Sequence, residues 1–229
     1  DNISFTRHRF PPDIIRHAVW LYARFTLSYR DVEDLLAERG LDISYESVRR
    51  WFLKFGAPIA KNLRSMRPAP SYFWHLDEMV IVIRGRRHWL WRAVDNEGEV
   101  LDFLVQSRRN AKAALKLMRR LLKKQGAAPT RITTDKLRSY HVAIRTLGLT
   151  AEHIDNKRAK IVLKTRISQC DDGTQQQKFK SPGSAQQFLN IQSAVYNSFY
   201  VQRHLLSRST FKRLRTDAFG VWKIASVAA

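Results

Sequence analysis

Acidic residues are scarce in this chain. Only 20 Asp and Glu stand against 41 Lys and Arg, a formal net charge of +21 over 229 residues. An imbalance that large favours a polyanionic partner and salt-sensitive binding, with nucleic acid ahead of an anionic membrane or an acidic protein. Cysteine is nearly absent too. The single Cys170 excludes an internal disulfide and any cysteine-based zinc site, and it fits a reducing, cytoplasmic setting. No uninterrupted apolar run approaches the roughly 18 residues of a spanning helix, so no membrane partner is expected. No signal-peptide pattern opens the sequence, and no internal repeat is visible. What is plentiful is apolar residues, at 44%. That is enough for a real core in one medium domain plus a small one.

Residues 1–9 are polar and basic and read as a loose arm. Pro11-Pro12 then opens a helix over Asp13–Arg24, because proline suits the first turn. Ser28 with Asp31 three residues on resembles a capping box and starts a second helix that stops at Gly40. Ser44 starts a third, through Val48, Trp51 and Phe52, with Gly56 as its stop. Three short helices with a tight 40–43 connection predict a helix-turn-helix unit over residues 1–60. Arg49, Arg50 and Lys54 on the third helix would face DNA. An ordinary bundle with a solvated basic face is the alternative reading of the same residues. Residues 61–70 read as a basic linker.

From Ser71 the period changes. Strands are expected over Tyr72–Ile83, His88–Val94 and Val100–Val105, joined by tight turns and therefore antiparallel. A helix follows over Asn110–Lys124, and then a short strand over Arg131–Thr134. The helix acts as the crossover that lets this last strand lie parallel to the first. Residues 137–150 read as helical, residues 155–180 as irregular, and a long helix is expected from Ser184 to Leu205. The fold class is thus α/β: an N-terminal helical unit followed by a β-β-β-α-β-α core over residues 71–206, with a frayed basic tail over 207–229. That order is the layout of an RNase H-like nucleotidyltransferase.

The carboxylates sit where such a core needs them. Asp77 lies mid-strand in an apolar setting, which is costly for a charge unless it is paired or metal-bound. The metal reading competes with a simple ion pair, since Arg92 on the next strand is available. Asp135 follows the fourth strand. It reads as the second metal ligand or as a cap for the following helix. Glu78 alternates away from Asp77 on a strand and is not expected to be a third ligand. His75 shares the face of Asp77, as a supporting group or as a structural histidine. Arg108, Arg109, Lys112, Lys116, Arg119 and Arg120, continuing into Lys123 and Lys124, form a basic run with no acid among them. It reads as a phosphate-facing surface rather than a merely solvated face.

Several segments together resemble bacterial insertion-sequence transposases of the DDE type, and in particular the insertion sequence six family. They are Trp74-His75-Leu76-Asp77-Glu78, Arg84 to Asp95, Gln106-Ser107-Arg108-Arg109-Asn110 and Thr134-Asp135-Lys136-Leu137-Arg138-Ser139-Tyr140. Ser28 to Asp31, Phe179 to Gln186 and Val201 to Arg208 fit as well, so the resemblance covers nearly the whole chain. It implies a helix-turn-helix and an RNase H-like domain that cleave and join double-stranded DNA at terminal inverted repeats and at a target. It also implies two magnesium ions (Mg2+), a homo-oligomer assembled on DNA, and a bacterial, nucleoid-associated, cytoplasmic location. Asp77 and Asp135 map onto the first two acids of the triad.

One stretch departs from that family. The third acid belongs in an Asn-Asn-Arg-Ala-Glu-Asn-Ser-His segment, and here Arg158-Ala159 is followed by Lys160 to Ile167. Lys164 falls where the glutamate belongs. Residues 161–166 are what a one-base shift through codons for the family segment yields, so the replacement reads as a reading-frame slip. The pattern returns near Phe179. Two functional expectations follow: a transposase impaired in this copy, or a DNA-binding relic that occupies inverted repeats without cutting.

Overall fold

The computed structural model describes residues 3–25, 27–135, 137–155, 179–201 and 206–227. In chain order the helical part begins with α1 (Pro12–Arg24), α2 (Tyr29–Ala37) and α3 (Tyr45–Ser65). The strands and helices β1 (Phe73–Ile83), β2 (Arg86–Asp95), β3 (Val100–Gln106), α4 (Ala111–Gln125), β4 (Arg131–Thr134), α5 (Arg138–Thr146) and β5 (Glu152–Asp155) come next. Last are α6 (Pro182–Phe199) and α7 (Arg208–Ser226). The chain divides into two compact units, Asp1–Arg67 with Asn190–Ala229, and Pro68–Leu189.

The first unit is helical. Ser28 and Asp31 form the anticipated capping box: the Ser28 hydroxyl accepts from the Asp31 N–H at 3.1 Å, and the Ser28 N–H donates to Asp31 Oδ2 at 2.7 Å. Gly40 takes a left-handed φ of 74° and closes α2 in a Schellman arrangement. There the Leu41 N–H donates to the Leu36 carbonyl at 3.0 Å and the Gly40 N–H to the Ala37 carbonyl at 2.8 Å. Ser44 caps α3, and Val48, Trp51, Phe52 and Phe55 turn inward.

Three expectations for this unit are corrected. The third helix does not stop at Gly56 but runs on through Pro58 to Ser65, so half of the expected 61–70 linker is helix. The stripe simply continues through Ile59, Ala60 and Leu63, and that burial outweighs the proline. A Cβ at Gly56 would stand 2.8 Å from Ile191 Cδ1, so the glycine marks a close helix–helix approach rather than a terminus. The N-terminal arm is anchored, with Ile3 and Phe5 buried and Phe5 against Phe55 at 4.6 Å between ring centroids. The basic tail is not frayed. It forms α7, capped by Ser207, with Ala218, Trp222 and Ala225 buried.

The second unit is built on a five-stranded sheet in the order β3-β2-β1-β4-β5. β1, β2 and β3 form an antiparallel meander, while β4 and β5 lie parallel to β1 and to each other. This is the RNase H-like sheet anticipated above, plus one strand that was not. Arg84 (φ 51°) and Gly85 (φ 74°) make the β1–β2 turn, both in the left-handed region that a type I′ hairpin requires. Helix α4 starts at the Asn110 cap and ends at left-handed Gly126. It packs Ala114, Leu117, Met118 and Leu121 onto Trp74, Leu76, Trp91 and Leu104 of the sheet, together with Tyr140 and Ala143 of α5. Gln186, in the first half of α6, meets the β3 edge. Its Nε2 donates to the Phe103 carbonyl at 2.8 Å, and its Oε1 accepts from the Val105 N–H at 2.9 Å. Strand edges left bare invite further pairing, and this amide satisfies one stretch of it.

Candidate active site

Asp77 sits mid-strand on β1, only 8% exposed, directly opposite Arg92 of β2 in the antiparallel register. The Arg92 Nε donates to Asp77 Oδ1 at 2.7 Å, and Nη2 donates to Oδ2. The ion pair with Arg92, expected as the alternative reading of Asp77, is present. By contrast, Asp95 at the end of β2 spends its oxygens on the backbone N–H groups of Ser71, Glu97 and Glu99, the work of a turn-capping residue.

Asp135 follows β4 directly. The parallel β1–β4 register pairs Leu76 with Thr134, which brings the residue after each, Asp77 and Asp135, to the same end of the sheet. The two carboxylates feel one another. Burial raises the Asp135 carboxyl above its usual range; Arg109 works against that rise and the charge of Asp77 adds to it. Asp135 Oδ1 is buried without a hydrogen-bond partner among the described residues.

Glu78 was not expected in the site, and the structure draws it in. It does alternate away from Asp77, but its buried side chain meets Arg109, whose Nε donates to Oε1 at 2.8 Å. The same guanidinium reaches Asp135 Oδ2 at 3.7 Å and lies over the Trp89 ring at 5.1 Å. One arginine thus ties Glu78 to Asp135. Burial pushes the Glu78 carboxyl up to about 7, with Arg109 opposing and the nearby charge of Asp135 adding to the rise. Tyr140 closes this cluster from α5. Its phenol is held well above its usual range by burial and then by the charges of Glu78, Asp77 and Asp135. Among the described residues, neither Glu78 Oε2 nor the Tyr140 hydroxyl, both buried, has a hydrogen bond of normal geometry. The sequence signal for Glu78 was only its adjacency to Asp77; the link runs through Arg109, 31 residues away.

His75 is half-buried, and burial lowers its pKa, with Asp95 opposing. Lys164 lies outside the described residues. Of the residues read as DNA-facing, Lys112, Lys116 and Arg119 are exposed on α4, as is Arg108 ahead of it. Arg120 is engaged elsewhere: with Lys124 it closes on the buried Asp102 of β3, Nε to Oδ2 at 2.9 Å and Nζ to Oδ1 at 2.6 Å. The acid that the basic helix itself lacks is supplied by a strand. In the helical unit, Arg49 pairs with Glu46 at 2.8 Å, Arg50 is exposed, and Lys54 reaches His8 Nε2 at 3.0 Å.

Residues 71–206 match the DDE domain family. The chain belongs to the DDE-type insertion-sequence transposases. It is 36% identical over 141 residues to the transposase for insertion sequence-like element IS431mec of Staphylococcus aureus, covering 61% of this chain and 62% of that protein. It is 35% identical over 141 residues to the transposase for insertion sequence element IS257 in transposon Tn4003 of Staphylococcus aureus, with the same coverage of 61% and 62%. The match therefore spans less than two thirds of those relatives. Among solved structures, the HTLV-2 integrase catalytic core domain in complex with magnesium aligns at 12% identity and a TM-score of 0.35, over 67% of this chain and 84% of that one. No helix among the described residues of this transposase-family chain is long and apolar enough to cross a membrane.

The donor set of this candidate site suits a hard cation. Asp77 and Asp135 offer oxygen only, the ligand chemistry magnesium prefers. Asp135 has an unpartnered buried oxygen, and each Asp77 oxygen keeps a second lone pair beside its bond to Arg92. The two aspartates fit as two ligands of a divalent ion.

Proposed function

We propose that the chain is the DNA transposase of an insertion sequence, binding terminal inverted repeats and acting on phosphodiester bonds at Asp77 and Asp135. The observation that carries this reading is the placement of those two carboxylates, on β1 and just after β4, at one end of a sheet within a DDE domain. Asp77 and Asp135 would hold the divalent ion. When bound, magnesium supplies Lewis-acid polarisation of the phosphoryl oxygen and lowers the pKa of the attacking water or 3′-hydroxyl. Arg92, which holds both Asp77 oxygens, would share that carboxylate with the ion. Exposed Lys112, Lys116 and Arg119, with Arg108, run along the DNA backbone, and Arg49, Arg50 and Lys54 of α3 address the inverted repeat. The protein works as a homo-oligomer on double-stranded DNA, at the bacterial nucleoid in the cytoplasm.

In this copy the chemistry is impaired, because Lys164 replaces the third acid. An ammonium in a divalent site removes a ligand and repels the ion. The test is magnesium-dependent cleavage and joining of inverted-repeat ends by the unaltered protein. The expected result is binding with weak or no joining; efficient joining overturns the impairment. A second reading, a relic that binds DNA without cutting, draws on the way Arg92 already neutralises Asp77. It predicts that no substitution at residue 164 restores cleavage. Resequencing codons 155–180 in all three frames tests the frame slip: an Asn-Arg-Ala-Glu-Asn-Ser-His run in a neighbouring frame establishes it, and its absence removes it.

A further inference from the structure

On the far side of the sheet order from β3, strand β5 and helix α5 bring together two imidazoles and a carboxylate. His153 and Asp155 stand two residues apart on β5 and share a face. His141 comes from α5. The Nε2 of His141 lies 2.7 Å from Asp155 Oδ2, and the Nε2 of His153 lies 3.4 Å from Asp155 Oδ1. One ligand atom from each of the three lies within 4.8 Å of the others. The two rings meet edge to face, with centroids 4.4 Å apart. Thr134, at the end of β4, donates its hydroxyl to Asp155 Oδ1 at 2.9 Å and is 2.9 Å from His153 Nε2.

We propose that His141, His153 and Asp155 form a binding site for a transition-metal dication of the zinc class, separate from the Asp77–Asp135 site. Two imidazole nitrogens and one carboxylate are the donors that zinc, nickel and cobalt accept, whereas magnesium takes oxygen. Three protein ligands leave one position of a tetrahedron for water. Four ligand atoms around a zinc ion at about 2.0–2.2 Å stand a little over 3 Å apart, close to the 2.7 and 3.4 Å that separate the Asp155 oxygens from the two imidazole nitrogens. Thr134 orients the carboxylate as an outer-sphere partner does. The bound ion would pin β5, an edge strand of only four residues, to α5. This proposal does not rest on the assignment of transposase activity.

The test uses the full chain free of any affinity tag, titrated with cobalt(II) and with zinc in excess magnesium. The expected result is one cobalt per chain with the strong visible absorption of a four-coordinate ion, displaced by zinc and unaffected by magnesium. His141 is exposed on its helix, so His141→Ala should fold, which circular dichroism checks. It should weaken zinc binding by about tenfold or more, and His141→Asp, which keeps a ligand, should recover part of the loss. An Asp135→Asn chain, shown to be folded by circular dichroism, should bind zinc as before. Absence of cobalt absorption, unchanged binding in His141→Ala, or loss of binding in the folded Asp135→Asn chain overturns the proposal.

Discussion

Arg92 stands directly across the β1–β2 ladder from Asp77 and takes both of its carboxylate oxygens. The pair is buried, with side-chain exposures of 8% and 11%. A lone carboxylate at that depth would be expensive, and the arginine is what lets Asp77 stay ionised there in a folded chain. If Asp77 takes a divalent ion, as proposed, that ion competes with a charged partner.

Removing one member of this pair should be costly. Arg92→Ala strands the carboxylate and should destabilise the chain by about 3–5 kcal/mol, read from urea unfolding. Magnesium should then recover part of the loss. Its upward shift in melting temperature should be larger in Arg92→Ala than in the parent chain. Equal shifts in the two proteins would remove Asp77 from the metal site.

Glu78 gives a pH signature of definite sign. Its carboxyl is raised from 4.5 to about 7, so the folded chain holds that proton where the unfolded chain has released it. The stability it contributes is present below pH 4.5 and is lost as pH rises through 7. Glu78→Gln keeps the shape and removes the titration. Between pH 4.5 and 7 the variant should gain on the parent steadily as pH rises. Histidines 8, 17, 75 and 153, with lowered pKa values, contribute the opposite slope, but they are common to both proteins and cancel. A parent-minus-variant difference that is flat across this window would contradict the burial of Glu78.

Much of the sheet unit was legible in the sequence because its signals are local. The Arg84-Gly85 turn, the alternation through Trp89, Trp91 and Ala93, and the Asn110 cap each announce their own element. The placement of Asp77 and Asp135 then follows from the crossover rule for parallel strands. What stayed hidden depends on distant partners. Strand β5 has one apolar residue, Ile154, in four, so its pairing with β4 carries no pattern of its own. Gly56 looks like a stop until Ile191 is found against it. Helix α7 is so basic that its stripe of Ala218, Trp222 and Ala225 is obscured. Glu78 was set aside by strand alternation, which holds; Arg109 is what connects it to Asp135.

If Lys164 takes the place of the third acid, as proposed, Lys164→Glu restores that acid. Two unit charges about 4 Å apart interact by roughly 4 kcal/mol at an effective dielectric of about 20, and more for a dication. Exchanging repulsion for attraction should raise magnesium-dependent cleavage of inverted-repeat DNA from a level near background. Adding Asp135→Asn to that variant should abolish the gain. If Lys164→Glu stays inactive while a chain with the whole family segment restored is active, the surrounding residues, not the one charge, carry the defect.

The basic helix offers a direct separation of binding from folding. Lys112, Lys116 and Arg119 are exposed on α4, so alanine at each should change stability by no more than about 0.5 kcal/mol. If they meet phosphates, each loss should weaken DNA binding and lower the slope of log affinity against log salt by about 0.9. Arg120 should behave in the opposite way. Its guanidinium is held by Asp102, whose side chain is 1% exposed and which also takes Lys124. Arg120→Ala should therefore destabilise the fold, measurable by urea unfolding, while leaving the salt slope nearly unchanged. A salt slope that falls as much for Arg120→Ala as for Arg119→Ala would mean that both side chains reach DNA and that the Asp102 pair opens on binding.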